Sequence, residues 1–266
     1  MLIVAERINA SRKPIRAALE ALDSDAIQRE ARAQDAAGAD YIDVNGGTFP
    51  GREPELLCWL VDTVQAVTDK PLCLDSPDPA ALAAALPKVK ARPPMINSIN
   101  LERDRFDRVL ALALEHRAKL IALCQGEGVP AASVADKTAL AAELVDRLTR
   151  AGIALDDIYV DPLVFPLGTD SGSAQATIEA IDEIMRRYPG VHTICGLTNV
   201  SHGLPARKLV NRTFLVAAMG RGMDAAIVDP TDAQLVSAIH AARAVFGRDE
   251  YCMGLIEAFQ EGRLAA

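Results

Sequence analysis

The stretch Ile158-Tyr159-Val160-Asp161-Pro162 carries the pattern that decides the fold. Three apolar residues in a row predict a short strand with both faces buried, and an aspartate stands where that strand should end. The same pattern recurs along the chain, and its other polar ends are Asp43-Val44-Asn45, Asp75-Ser76, Asn97-Ser98-Ile99-Asn100, Asn199-Val200-Ser201 and Asp229-Pro230. Polar residues at the ends of so many strands predict a ring of strands whose carboxyl ends meet in one pocket.

Strand and helix patterns alternate from one end of the chain to the other. The predicted strands are 2–8, 40–44, 71–75, 94–98, 119–124, 157–161, 191–198 and 223–229. The predicted helices are 24–37, 54–67, 78–86, 102–116, 135–150, 173–187, 207–220 and 231–246. Eight such repeats predict an α/β fold of the single (β/α)8 TIM-barrel type, with one domain over residues 1–266. Residues 249–266 would be a terminal extension, either an extra helix over a barrel end or a dimer contact.

A doubly wound open sheet is the alternative architecture. It is disfavoured because Glu6-Arg7-Ile8-Asn9 stands at the end of the first predicted strand, where a dinucleotide-binding sheet would carry Gly-x-Gly-x-x-Gly.

Composition narrows the classes of partner. The 266 residues are 50% hydrophobic and 4% aromatic, which predicts an aliphatic core, and the net charge of −8 argues against nucleic acid. No apolar run approaches the ~18 residues of a membrane span, and the amino terminus lacks a signal-peptide pattern, so a cytoplasmic location is expected. The five cysteines are dispersed and the four histidines lack an i,i+4 pair, so no metal site is predicted.

The polar pocket indicates what it would bind. Asp75, Asn97 and Asp161 end the third, fourth and sixth predicted strands. A carboxylate accepts two hydrogen bonds in a plane, and an amide both donates and accepts, so together they suit a 2-amino-4-oxo-pyrimidine edge. The alternative is that each residue caps the next helix or satisfies backbone groups. The predicted pocket is nearly free of His and Lys and shows no nucleophile arrangement, so the reactive chemistry would belong to the bound molecule.

Two further residues have both a chemical and a structural interpretation. Asn199, at the end of the seventh predicted strand, does not titrate, but its amide can stabilise a group whose charge changes during a reaction; alternatively it is a turn residue. Arg207 opens the seventh predicted helix, where it would meet an anionic tail of a substrate or simply be solvated.

Several segments taken together resemble one family. They are Glu6-Arg7-Ile8-Asn9, Asp43-Val44-Asn45, Leu72-Cys73-Leu74-Asp75-Ser76, Ile96-Asn97-Ser98, Asp161-Pro162-Leu163, Gly196-Leu197-Thr198-Asn199-Val200-Ser201 and Asn211-Arg212-Thr213-Phe214-Leu215. The chain resembles the pterin-binding methyltransferases that pass a methyl group between tetrahydrofolate and a corrinoid protein. The resemblance covers nearly the whole chain.

The resemblance implies a pterin-binding barrel, usually a homodimer. In it Asp75, Asn97 and Asp161 would hydrogen-bond the pterin ring, and Asn199 would lie near N5, the nitrogen that carries the methyl group. The further site residues that it implies are Gly196 and Arg207, and then Glu6, Asp43, Asn45 and Ser201. Tetrahydrofolate or 5-methyltetrahydrofolate would be the substrate, and cobalamin would be carried by a separate corrinoid protein that docks transiently. The resemblance leaves the direction of methyl transfer open.

Three other functions remain as alternatives. Dihydropteroate synthase shares the barrel and resembles the chain at Asp75 and Asn97, but its Ser-Arg-Lys and Arg-x-His signatures are missing here: Thr198-Asn199-Val200 and Asp229-Pro230-Thr231 stand in their places. A non-catalytic folate-binding subunit is the second alternative, and the presence of Asn199 argues against it. A sugar or aldolase barrel is the third, and the scarcity of Lys near the pocket disfavours a Schiff-base mechanism.

Overall fold

The computed structural model describes residues 1–47, 49–128 and 131–265. Its strands are β1 (Leu2–Asn9), β2 (Tyr41–Asn45), β3 (Leu72–Asp75), β4 (Met95–Ile99), β5 (Lys119–Leu123), β6 (Ile158–Asp161), β7 (His192–Thr193) and β8 (Ala225–Val228). Its α-helices are α1 (Lys13–Ala21), α2 (Ser24–Ala36), α3 (Glu53–Val64), α4 (Pro79–Ala85), α5 (Arg103–His116), α6 (Val134–Arg150), α7 (Ser173–Arg187), α8 (Arg207–Gly220), α9 (Ala233–Val245) and α10 (Met253–Gln260).

The eight strands form one parallel sheet that curls into a barrel. The strand order runs from β7 through β6, β5, β4, β3, β2 and β1 to β8. An isolated parallel bridge between Gly196 and Ile227 joins the two ends, and the Ile227 N–H donates to the carbonyl oxygen of Cys195 at 3.0 Å. The predicted (β/α)8 barrel is therefore confirmed.

The barrel interior is filled by one layer of apolar side chains from the strands. Its members include Val4, Tyr41, Cys73, Met95, Ile121, Tyr159, Ile194 and Ile227, all buried. Along a strand, side chains alternate between the two faces of the sheet. On β1 to β6 the residue two positions after each member therefore also points into the barrel, one layer closer to the carboxyl ends.

The helices cover the outside of the barrel, and their starts follow from local sequence. Ser133 and Asp136 form a capping box at the beginning of α6, and the Asp23 side chain accepts the N–H of Ala26 at the beginning of α2. Pro79 begins α4, where its missing N–H costs no hydrogen bond, and Asp78 caps that helix. No helix in the described part of the chain is long and apolar enough to cross a membrane.

The structure departs from the sequence prediction most clearly at the seventh strand and at the first helix, and β8 is also shorter than the predicted 223–229. The seventh strand, predicted over 191–198, contains only His192–Thr193, because the chain then leaves the ladder and enters a short 3-10 helix, Leu197–Asn199. Helix α1 was not predicted, and it lacks a side-chain cap. After α9 the chain turns back as α10, and the Ala265 N–H donates to Ser237 Oγ at 2.8 Å. The division into one domain with an extension over 249–266 stays a prediction.

Candidate functional site

A layer of polar side chains lies above the apolar layer of the barrel. It follows from the alternation of side chains that the residues two positions after Val4, Tyr41, Cys73, Met95 and Tyr159 point inward. Those residues are Glu6, Asp43, Asp75, Asn97 and Asp161. On β2 the next inward position is Asn45, while β5 contributes the apolar Leu123 instead. Five predicted strand-end residues and Glu6 therefore share one pocket at the carboxyl end of the barrel.

Three of these residues form a row across neighbouring strands. Asn45 is the register partner of Asp75, and Asp75 is the register partner of Asn97. The Asn45 side chain lies beside Asp75 and favours its charged form. Neighbouring strands lie about 4.8 Å apart, so the carboxylate of Asp75 and the amide of Asn97 can contact the same flat ligand.

Asp43 is the register partner of Cys73, one inward position before Asn45 on β2, and it orients Asn97. Its side chain is 1% exposed, and Asn97 Nδ2 donates to Asp43 Oδ1 at 3.3 Å. Because burial and the nearby Asp75 carboxylate disfavour a negative charge there, the pKa of Asp43 lies well above its ordinary value. Asp43 thus supports the pocket from below, beneath the row that can face a ligand.

Arg105 is a residue that the sequence analysis missed. From α5 its guanidinium donates to the carbonyl oxygens of Ser76 at 2.9 Å and Ser98 at 3.1 Å, and also to that of Pro77. It therefore ties together the chain just after Asp75 and just after Asn97. The signal was weak because one arginine in a charged helix resembles any solvated residue.

Asp161 is held by backbone donors on the far side of the pocket. Its side chain is 7% exposed, and Asp161 Oδ1 accepts the Leu163 N–H at 2.8 Å. The Gly196 N–H also hydrogen-bonds this carboxylate. The backbone of Gly196 therefore lies beside Asp161, and its role as a site residue stays a prediction.

One lysine lies close to the pocket, although the sequence analysis expected Lys to be scarce there. Lys137 is on α6, its side chain is fully buried, and its charge acts on Asp161. It was missed because it lies on a helix, outside the strand-end segments.

Asn199 lies at the rim, on the loop that follows β7. Its side chain is exposed, and it ends the 3-10 helix rather than a strand as predicted. Arg207 fixes this loop, because its Nε donates to Ser201 Oγ at 3.1 Å and another of its nitrogens donates to the carbonyl oxygen of Thr198 at 2.9 Å. Ser201 is fully buried, so it supports the loop rather than lining the pocket.

Glu6 lies next to the same loop. The Thr198 side chain hydrogen-bonds its carboxylate, and Arg12 and Arg207 act on it through their charges. Its neighbour Arg7 has a different role, since it forms ion pairs with Glu30 at 2.7 Å and Asp229 at 2.9 Å. Asp229, the last of the six polar strand-end residues, is therefore engaged in an ion pair with Arg7.

The carboxyl groups of the pocket are difficult to ionise because they are buried. Burial raises the pKa of Glu6 to about 7, with the Asp229 charge adding to the shift. Burial also raises the pKa of Asp75 to about 6 and that of Asp161 to about 6. A pocket with so many hydrogen-bond acceptors suits a ligand rich in N–H donors. Among the described residues, no group of three or more His, Cys, Asp or Glu side chains is arranged to hold a metal ion.

Comparison with known proteins gives consistent matches. A family model described as pterin binding enzyme matches residues 5–229. The methylcorrinoid:tetrahydrofolate methyltransferase of Eubacterium limosum is 38% identical over 270 residues, which cover 99% of this chain and 98% of that protein. The methionine synthase of Mycobacterium tuberculosis is 33% identical over 242 residues, 86% of this chain but only 20% of that much longer protein.

Solved structures share the fold at low identity. The dihydropteroate synthase of Xanthomonas albilineans in complex with indole-2-carboxylic acid and 6-chloroguanine has a TM-score of 0.71 at 19% identity over 92% of each chain. The enzyme of Thermus thermophilus in complex with 6HMPPP has a TM-score of 0.68 at 21% identity over 94% of each chain. At these identities the likeness is one of fold.

Proposed function

This chain belongs to the family of pterin-binding enzymes, and we propose that it is a methyltransferase that moves a methyl group between the N5 atom of tetrahydrofolate and the cobalt of a separate corrinoid protein. The observation that carries this proposal is the row of polar side chains at the carboxyl ends of the barrel strands, among them Asp75, Asn97 and Asp161, with the exposed Asn199 on the loop after β7. The relative from Eubacterium limosum, which matches over nearly its full length, supports the same reaction.

Asp75, Asn97 and Asp161 would hold the pterin ring. The ring presents N–H and NH2 donors beside a carbonyl group, and two carboxylates can accept from those donors. Asn97 can accept a hydrogen bond from the ring at its Oδ1, because its Nδ2 already donates to Asp43. Both carboxylates have a pKa of about 6, so at neutral pH they are mostly ionised and able to accept.

Asn199 would assist N5. A tertiary amine is a poor leaving group, so N5 must gain positive character before the methyl group can leave it. A hydrogen bond that strengthens as this charge develops stabilises the transition state, and the same contact helps transfer in either direction. The exposed position of Asn199 at the mouth of the barrel suits a group that must meet both the folate and the corrinoid protein.

The corrinoid would be held by its own protein and would supply the cobalt that gives or accepts the methyl group. The name of the Eubacterium limosum relative favours transfer from a methylcorrinoid to tetrahydrofolate, and we propose that direction. Arg207 supports the loop of Asn199, and its exposed guanidinium would meet the glutamate tail of the folate. We also expect a homodimer in the cytoplasm, and sedimentation velocity would test the dimer.

The decisive experiment mixes the purified protein, methylcobalamin and tetrahydrofolate without oxygen and follows the corrinoid absorbance. We expect protein-dependent loss of methylcobalamin with formation of 5-methyltetrahydrofolate. If the absorbance does not change although tetrahydrofolate binds tightly by calorimetry, the assay is repeated with purified corrinoid proteins. Continued inactivity would favour a non-catalytic folate-binding subunit. Absence of tetrahydrofolate binding would contradict the proposed function itself.

A further inference from the structure

Lys137 has a fully buried side chain, which is unusual for a lysine. It lies near the beginning of α6, behind the end of β6 rather than inside the cavity. A buried ammonium group is costly unless its hydrogen bonds are satisfied and its charge is compensated. The site must therefore contain acceptors that fit it.

Two carbonyl oxygens and one aromatic ring surround the ammonium group. Lys137 Nζ donates to the carbonyl oxygen of Pro162 at 2.9 Å and to that of Leu163 at 2.6 Å. The ring of Phe165 faces the same nitrogen, with its centroid at 5.2 Å. Two hydrogen bonds to carbonyl oxygens and an aromatic ring within cation–π range offset part of the cost of burying a positive charge here.

The two carbonyl groups belong to the turn that holds Asp161. Leu163 has a φ of +58°, in the left-handed region that a leucine rarely adopts. In this conformation its carbonyl oxygen points to Lys137 while its N–H donates to Asp161 Oδ1 at 2.8 Å. A single peptide turn therefore connects the buried lysine to one oxygen of the carboxylate.

The charged and titratable groups around this pair come from several elements. Lys137 faces Asp161 at the end of β6, Cys124 after β5, Cys195 after β7 and Asp170 in the loop before α7. Burial lowers the pKa of Lys137, and burial raises the pKa of both cysteine thiols, so those thiols carry no charge at neutral pH. Asp161 receives backbone N–H groups from Leu163 and Gly196 in addition to the lysine's charge.

We propose that Lys137 is a positioning residue for Asp161: it holds the Pro162–Leu163 turn, whose Leu163 N–H donates to Asp161 Oδ1, and it thereby fixes the orientation in which the carboxylate meets the ligand. It also supplies the positive charge that keeps this carboxylate ionised inside the barrel. Lys137 does not touch the ligand, because its side chain is fully buried. The inference rests on the proposed function in so far as the ligand bound by Asp161 is a pterin.

The test compares Lys137→Met with the wild-type protein by two measurements. The first needs no ligand: the carboxyl ¹³C resonance of Asp161, assigned through Asp161→Asn, is followed over a pH titration. We expect its pKa to rise by about 1 unit when the nearby cation is removed. The second is tetrahydrofolate affinity by calorimetry between pH 5 and 8, which we expect to weaken by about tenfold or more at pH 7. The acid limb of the affinity profile should move to higher pH by the same shift.

Lys119→Met is the matched control. Lys119 is half-buried, and like Lys137 it donates to a backbone carbonyl, that of Asp156 at 2.9 Å, but at the opposite end of the barrel. The Lys119→Met variant should have a lower unfolding temperature, but its Asp161 pKa and its affinity profile should match those of the wild-type protein. Lys137→Met should also cause no further loss of affinity in an Asp161→Asn background, because both changes act on one carboxylate.

An unchanged Asp161 titration in Lys137→Met would overturn the proposal. If Lys137→Met does not fold, Lys137→Gln is measured instead. The glutamine amide can still donate to one carbonyl group but carries no charge, so this variant should produce the same shift of the Asp161 pKa. If the wild-type protein does not bind tetrahydrofolate while the titration shifts as expected, the proposed function fails and the coupling of Lys137 to Asp161 stands.

Discussion

Asn97 Nδ2 donates to Asp43 Oδ1 at 3.3 Å, inside the barrel and below the open end of the pocket. This contact sets which atom of the Asn97 amide is available to a ligand. The nitrogen is directed down the barrel to Asp43, so the oxygen is left on the other side. Asp43 is buried and its pKa is raised by that burial and by Asp75, so it acts as support for Asn97. Two residues with the same strand-end pattern in the sequence therefore have different roles.

Asn199→Ala should lower turnover by about 10²-fold while tetrahydrofolate affinity changes little, because the amide acts on the charge that develops at N5. The exposed side chain should also contribute little to stability. Steady-state methyl transfer and calorimetry on the same preparations would measure both effects. His202→Ala is the control, since His202 is exposed on the same loop. Wild-type turnover in Asn199→Ala would remove Asn199 from the mechanism.

Asp75→Ala should weaken tetrahydrofolate binding by ~10- to 150-fold, the equivalent of losing one hydrogen bond to a charged buried group. Asp78→Ala is its control three residues away. Asp78 caps α4 by accepting the Ala80 N–H at 2.8 Å, so its loss should cost about 1 kcal/mol of stability and leave affinity unchanged. Equal affinities for Asp75→Ala and the wild-type protein would contradict the assignment of Asp75 to the ring.

Glu6 should make the ligand-free protein less stable as pH rises. Its pKa is about 7 in the folded state, above the ordinary value of 4.5, so the folded protein binds more protons between these values. The free energy of unfolding should then fall by roughly 1–3 kcal/mol as pH rises from 4.5 to 7. Urea unfolding across this range should show a flatter profile for Glu6→Gln, whereas Glu20→Gln, an exposed helical control, should follow the wild type.

In its protonated form, His192 should stabilise the amino-terminal end of the barrel, where β7 begins. Its Nδ1 lies 2.7 Å from Asp224 Oδ2 and its Nε2 lies 3.1 Å from Asp156 Oδ1. The hydrogen bond to Asp224 is the main cause of a raised pKa. A raised histidine pKa contributes stability that is complete below the ordinary value near 6.5 and is lost as pH rises through the folded value.

The loss should be about 1 kcal/mol or less, because both partners are partly solvated. Thermal unfolding between pH 6 and 9 would measure it in the wild type, His192→Gln and the control His116→Gln. If His192→Gln keeps the pH slope of the wild type, the slope arises elsewhere.

The fold could be predicted from the sequence because parallel strands buried on both faces are continuous apolar runs. All eight strands were placed this way, and the largest error in length was at β7, predicted over 191–198 and observed over His192–Thr193. Apolar runs such as Thr193–Leu197 do not distinguish a ladder from a buried loop. Here the chain leaves the sheet after Thr193, where His192 and Thr193 are held to Asp224 by side-chain contacts.

Of the candidate site, only the inward-facing acidic and amide side chains could be predicted from the sequence. Asp75, Asn97 and Asp161 stand directly after strands, and the barrel topology directs such ends to one place. Arg105 and Lys137 lie on helices, and their contacts with Ser98 and Leu163 depend on how those helices pack. Local sequence contains no signal for such a contact.

The sequence by itself therefore determined the barrel, the inward direction of its strand-end residues and their suitability for a pterin, since alternation along a strand is a local property. Only the tertiary structure decided which of these residues support and which face the cavity. Packing directs the amide of Asn97 onto Asp43, buries Lys137 behind Asp161 and ties Arg207 to the loop of Asn199. Burial then sets the charge of each group, because the cost of ionising a carboxyl depends on everything packed around it.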